Sequence, residues 1–107
     1  MRPVLKNMSL KVARCFASME NKCGRPLNNR RVAQLLLDMQ TNQFHGHEVE
    51  IFWVTIAGKD FLWHGQHVVQ AVIQLNDPQY NFEYKEIHYI VSDTAELRKI
   101  MKEDRRL

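Results

Sequence analysis

The residues best suited to chemistry, Gly65-Gln66-His67, stand where one kind of local structure ends and another begins. The apolar run Phe61-Leu62-Trp63-His64 has the character of a strand, and apolar residues at helical spacing follow Gly65 directly. A helix that starts at a glycine turn directs free backbone N–H groups and the positive end of its dipole outward, which is a common way to bind phosphate. The side chains of Gln66 and His67 can add hydrogen bonds to such a ligand, or they can cap the helix.

Basic residues form two groups in the sequence. Arg25, Arg30 and Arg31 lie at the start of the second predicted helix, where cations oppose the helix dipole and gain nothing from it. We therefore predict that these three bind nucleic acid or a partner protein, with a plain solvent-facing role as the alternative. The second group is interleaved with acidic residues on and after the last predicted helix, which favours a solvated surface. Its members are Arg98, Lys99, Lys102, Arg105 and Arg106.

Length and composition restrict the classes of function. The 107 residues fit a single domain over 1–107, and a net charge of +3 permits nucleic-acid contact without requiring it. We find no run long enough to span a bilayer and no secretory signal, so we expect a cytoplasmic protein that does not act in a membrane. Cys15 and Cys23 match neither a disulfide framework nor a zinc pattern, and we predict two free thiols.

The sequence offers little sign of catalysis. The histidines show no known metal-ligand spacing, and no Gly-rich P-loop, paired acid motif or Ser/His/Asp set is recognisable. We therefore expect no metal and no cofactor, with a bound nucleotide as the alternative, and these residues alone leave open whether the chain is an enzyme. The aromatic residues Trp53, Phe61 and Trp63 could stack on bases, but their strand spacing favours a place in the core.

The pattern of apolar residues predicts seven elements that would position these side chains. Val32, Leu35, Leu36 and Met39 form the clearest helical stripe, and we expect it to pack onto the sheet. In chain order we predict a helix capped by Ser9 to about Glu20, a helix from Asn28 or Asn29 to about Thr41, a strand at Glu48 to Ile56, a turn at 57–60, a strand at Phe61 to Trp63, a helix from Gly65 to about Leu75, a strand at Glu83 to Val91, and a last helix with Asp93 and Glu96 as a capping box. This order indicates a small α+β domain with a short mixed β-sheet packed by about four helices.

Several of these segments, taken together, resemble the ParB/sulfiredoxin-like fold, and most closely the ParB-like proteins of phages and other mobile elements. The resemblance covers roughly residues 8 to 91. It is carried by Arg25-Pro26-Leu27 at the second helix, by Val32 with Asp38-Met39, by Asn42-Gln43-Phe44, by the hairpin, by Gly65-Gln66-His67-Val68 in place of a "GQHR" signature, and by Gln70-Ala71-Val72-Ile73 after it.

The departures from that family limit what the resemblance implies. The fourth signature position is an Arg that grips nucleotide phosphate in the wider fold, and here it is Val68. The second position is the catalytic Cys of sulfiredoxins, and here it is Gln66. The resemblance therefore implies a ParB-like module that does not catalyse a reaction, with Gly65, Gln66 and His67 as its ligand-binding residues. Its partner would be nucleic acid or a host protein, such as a defence or replication component. The alternative is a nucleotide-dependent hydrolase or nuclease, in which Arg25 or Arg30 replaces the missing Arg.

Overall fold

The computed structural model describes residues 3–21 and 26–103. Within these ranges the chain forms four α-helices and one five-stranded sheet. In chain order the elements are β1 (Val4–Met8), α1 (Leu10–Ala17), β2 (Glu20–Asn21), α2 (Asn29–Gln40), a 3-10 helix at Gly46–Glu48, β3 (Glu50–Ile56), β4 (Lys59–His64), α3 (Gln66–Leu75), β5 (Phe82–Val91) and α4 (Thr94–Glu103). The prediction of a small α+β domain with a mixed sheet is confirmed.

The sheet has the strand order β1-β5-β3-β4-β2, with β5 and β3 parallel at its centre. β1 pairs with β5 and β4 pairs with β3 in antiparallel fashion, and the short β2 is parallel to β4. The parallel pair requires a crossover between β3 and β5, and β4 with α3 provides it.

The sheet carries three helices on one face and one helix on the other. Side chains such as Ile51, Leu62 and Tyr84 share a buried cluster with residues of α1, α2 and α3. Neighbouring positions in the strands, such as Val54 and Ile87, point the other way and pack with Leu97 of α4. This alternation follows from the two-residue period of a strand, and it buries both faces of the central strands.

The predicted helix signals match the caps in the structure. Ser9 accepts a hydrogen bond from the Val12 N–H, and Asn28 rather than Asn29 caps α2. Three residues of the predicted stripe, Val32, Leu35 and Met39, are buried in the cluster that also holds the strand residues, so the predicted packing of α2 is confirmed.

The capping box before α4 is confirmed only in part. The side chain of Asp93 accepts a hydrogen bond from the Glu96 N–H at 2.8 Å. In a capping box the Glu96 carboxylate would accept from the backbone N–H of Asp93. Here it accepts instead from the backbone N–H and the hydroxyl of Ser92, the preceding residue.

Three predicted boundaries were wrong, each for a local reason. The first helix ends at Ala17, because the residues Glu20–Asn21, expected near its end, form a strand that pairs with β4. The strand expected from Glu48 starts at Glu50, since a 3-10 helix takes Gly46–Glu48. The turn expected at 57–60 occupies only two residues, Ala57 and Gly58, both with positive φ, and this tight turn lets β4 begin at Lys59.

The aromatic residues of the hairpin lie against the core, as their spacing predicts. Phe61 is buried, and Trp53 and Trp63 are half-buried against opposite faces of the sheet. Cys15 is a free, exposed thiol, and Cys23 lies outside the described residues.

Candidate functional site

The turn at Gly65 joins β4 to α3 and requires a glycine for two reasons. Its φ of 113° is a backbone conformation that side chains rarely adopt. A Cβ at this position would also overlap the Cδ1 atom of Ile51 in the neighbouring strand. Because the N-cap of α3 is Gly65, the N-cap residue itself has no side chain to cap the helix, and the first turn contains no acidic residue. The start of α3 therefore keeps the positive character of a helix N-terminus.

The start of α2 lies directly beside the start of α3. The backbone N–H of Asn28 donates to His67 Nε2 at 3.0 Å, across 39 residues of sequence. The side-chain oxygen of the same Asn28 accepts from the backbone N–H groups of Arg30 and Arg31 at 3.0 and 3.3 Å. A short chain of hydrogen bonds thus connects the first turns of the two helices.

His67 is held in its neutral form at this junction. A backbone N–H can only donate, so Nε2 must be the unprotonated nitrogen and the ring proton lies on Nδ1. Burial lowers the pKa of His67, and the nearby Arg31 and His64 lower that pKa further. At neutral pH the ring is therefore a hydrogen-bond acceptor and carries no positive charge.

The charges around the junction are positive and uncompensated within the two first turns. The first turn of α2 contains no acidic residue, and the same is true of α3. Arg30 and Arg31 are exposed on the first turn of α2. The N-termini of two helices thus lie side by side, with two exposed arginines on the first turn of α2, an arrangement that suits a phosphate or another anion.

The structure brings together most of the site residues predicted from the sequence. Gly65, Gln66 and His67 form the start of α3, and Arg30 and Arg31 lie on the adjacent turn of α2. Arg25 lies outside the described residues.

The remaining positions of interest lie elsewhere in the fold. Val68 is half-buried against the core on the three-helix face, and Lys99 and Lys102 are exposed on α4. Arg98 is exposed beside them, whereas Arg105 and Arg106 lie outside the described ranges. The described members of the second basic group, Arg98, Lys99 and Lys102, therefore lie on α4, the one described helix on the other face of the sheet.

Sequence reasoning missed a second polar cluster, which crosses three strands. The Thr55 hydroxyl donates to Asp60 Oδ1 at 2.7 Å, and His88 Nε2 lies 2.8 Å from the same hydroxyl oxygen. The His88 ring also stacks on Trp53, with centroids 3.5 Å apart and planes 6° from parallel. The cluster forms only when β4, β3 and β5 pair in register, so no motif within one segment of the sequence predicts it.

The direction of these hydrogen bonds argues against a hydrolase triad. Because the Thr55 hydroxyl proton points to Asp60, His88 acts as the donor to Thr55 and cannot accept the hydroxyl proton. Burial lowers the pKa of His88, although Asp60 and Glu86 act in the opposite direction.

Asp60 also lines an open cavity of about 590 Å³ near the end of α1, together with Cys15, Ser18, Met19, Glu20 and Lys59.

Among the described residues, no group of three or more His, Cys, Asp or Glu side chains is arranged to hold a metal ion. None of the helices in the described ranges has the length and apolar character that crossing a bilayer requires. The chain matches no protein-family model and no curated protein.

Proposed function

We propose that this chain is a non-catalytic binding module of the ParB/sulfiredoxin-like type, of the kind carried by phages and mobile elements, and that it binds nucleic acid through backbone phosphates. The order of its elements supports this assignment. A helix (α2), two strands (β3 and β4), a glycine-led helix (α3) and a further strand (β5) follow one another as in that fold.

The observation that carries the proposal is the pairing of two helix N-termini beside two exposed arginines. Asn28 and His67 join the first turns of α2 and α3, and neither first turn contains a carboxylate. Arg30 and Arg31 lie where the helix dipole gives them no local benefit, so a ligand accounts better for their position than stability does. The backbone N–H groups of Arg30 and Arg31 already donate to the Asn28 side chain, so phosphate would be held by the guanidinium groups and by the positive ends of the two helix dipoles.

Binding without catalysis is favoured by the residues that replace the reactive ones. Phosphoryl transfer needs a fixed positive charge on the transferring group. Val68 supplies none, and its side chain packs against the core rather than standing free at the turn. Gln66 cannot act as the nucleophile that a Cys would be at that position.

Titration of the protein with fluorescently labelled single-stranded and duplex DNA and RNA, at several salt concentrations, tests the proposal. We expect Arg30→Glu/Arg31→Glu to weaken binding by about a hundredfold to ten-thousandfold, because it removes two charge-assisted contacts worth ~1.5–3 kcal/mol each. The slope of log affinity against log salt should fall by ~1 for each lost phosphate contact.

The matched control is Arg98→Glu/Lys99→Glu, which changes the net charge equally on the exposed surface of α4. This control should leave most of the binding intact. Equal losses in the two double variants would mean that binding follows net charge and that the junction is not the site.

A partner protein and nucleotide chemistry are the two other outcomes. Capture of the same protein from nuclease-treated host lysate, in the absence of any nucleic-acid binding, would replace nucleic acid by a host protein as the ligand. Release of phosphate from nucleoside triphosphates that disappears in Gln66→Ala would instead establish a hydrolase and refute the non-catalytic assignment.

A further inference from the structure

The cap of α2 has an unusual composition. In a capping box, a Glu or Gln three residues after the N-cap accepts a hydrogen bond from the backbone N–H of the N-cap residue. Here the N-cap is Asn28 and the third residue after it is Arg31, whose guanidinium has donors only. The sequence of α2 therefore cannot complete its own capping box.

His67 supplies the missing acceptor from another helix. Its Nε2 takes the hydrogen bond of the Asn28 N–H at 3.0 Å, the same backbone group that a Glu would otherwise reach. This hydrogen bond is chemically the same as the one in a local capping box, but its acceptor, His67, is 39 residues away in the sequence. Formation of the α2 cap thus depends on correct packing of α3.

The first turn of α2 needs such an anchor because apolar contacts begin only beyond it. Positions 26–31 are exposed, and the first buried side chain of the helix is Val32. Asn28 in turn holds the backbone N–H groups of Arg30 and Arg31 through its side-chain oxygen. The position of both arginines relative to α3 is therefore linked to the single ring nitrogen of His67.

We propose that His67 is a positioning residue, whose unprotonated Nε2 fixes the start of α2 against α3 and so orients Arg30 and Arg31 toward the phosphate. It does not itself contact the ligand. This inference rests on the proposed function for its effect on binding, whereas the coupling between the two helices stands on the hydrogen bond alone.

Two substitutions separate positioning from direct contact. His67→Gln places a neutral amide oxygen at a similar distance from the backbone, so it can still accept from Asn28. His67→Leu has a comparable size but offers no acceptor. We expect the Leu variant to bind labelled DNA about two- to tenfold more weakly than the parent, as loss of one hydrogen bond implies, and the Gln variant to bind nearly as the parent does.

Amide hydrogen exchange of the same three proteins gives a readout that does not require a ligand. The Asn28, Arg30 and Arg31 amides should exchange faster in His67→Leu and return toward the parent rate in His67→Gln. In the parent, a scalar coupling across the N–H···N bond between the Asn28 amide nitrogen and His67 Nε2 should be observable by NMR.

The outcomes distinguish this inference from the proposed function. Equal weakening of binding in both variants would overturn positioning in favour of direct contact, and parental binding in both would overturn it altogether. If the parent binds no nucleic acid, the proposed function fails. The exchange rates then decide alone, because unchanged rates in His67→Leu would refute the coupling of the two helices.

Discussion

Substitution of Gly65 by alanine should destabilise the protein strongly, because the added Cβ is unfavourable both for the backbone conformation and for packing against Ile51. The φ of 113° is unfavourable for any residue with a Cβ, which costs ~1–2 kcal/mol. The new Cβ would also overlap Cδ1 of Ile51, a side chain with no exposed surface, and overpacking of this kind costs ~1–3 kcal/mol. The sum is about 2–5 kcal/mol, a large part of the ~5–15 kcal/mol that stabilises a typical domain.

Urea denaturation followed by circular dichroism measures this loss, and Gly58→Ala is the control. Gly58 has a φ of 82°, yet a Cβ there would meet no atom within 4 Å. This variant should therefore show only the backbone cost, about 1–2 kcal/mol. A loss at Gly65 that is no larger than the loss at Gly58 would contradict the packing argument.

A double-mutant cycle with Ile51→Val tests the packing cost directly. Valine lacks the Cδ1 atom that the new Cβ would meet, so it should relieve the overlap. In the parent background Ile51→Val should cost ~0.5–1.5 kcal/mol, whereas in the Gly65→Ala background it should cost less or stabilise. Strict additivity of the two substitutions would refute the proposed contact.

Three further substitutions or conditions have expected outcomes that a melting curve or a titration can check. Leu35→Ala should cost about 2–5 kcal/mol because Leu35 is only 5% exposed, whereas Leu37→Ala, at a position 52% exposed, should stay within ~0.5 kcal/mol of the parent. Val68→Arg should lower the melting temperature, since Val68 packs against the core. The folded variant should bind triphosphate about tenfold to a hundredfold more tightly, and a folded variant without this gain would exclude a phosphate cradle at Gly65. Stability should decline as the pH falls below about 6.5, because the folded state holds the pKa of His67 and His88 below that value and the unfolded chain takes up protons first. His67→Gln should remove part of this decline, and an unchanged pH profile would contradict a neutral His67.

Signals within one helix or one turn are what the sequence conveys best. Ser9 and Asn28 mark their helix starts because capping depends on residues only two or three positions away. Gly65 marks the strand-to-helix turn for a similar reason, since its backbone conformation excludes most other residues.

β1 was not predicted because its residues do not alternate between buried and exposed positions, the pattern by which a strand is recognised. Four of its five residues are exposed, and only Met8 reaches the core. β2 has two residues, which is too short for any periodic signal. Both strands exist because β5 and β4 offer them backbone partners far away in the sequence, at positions such as Phe82 for Met8.

The candidate site shows the same division between local and distant information. The Gly65-Gln66-His67 turn and the arginines of α2 could be identified separately from their residue types. Their meeting through the Asn28–His67 hydrogen bond depends on tertiary packing of α2 against α3. One clue was present in the sequence, since Arg31 stands where a capping box needs an acceptor, but it does not reveal which residue supplies that acceptor.

The strand order has a consequence for how the protein is made. Among the described strands β5 is synthesised last, yet it lies between β3 and β1, the first of them, and Met8 pairs with Phe82. While the ribosome still holds β5, β1 has no strand to join and the central edge of β3 is open. The sheet can therefore close only after nearly the whole domain has emerged, and such distant pairing slows folding relative to helical proteins of equal length. During that interval the nascent chain exposes an unpaired strand edge, the kind of surface that chaperones protect from aggregation.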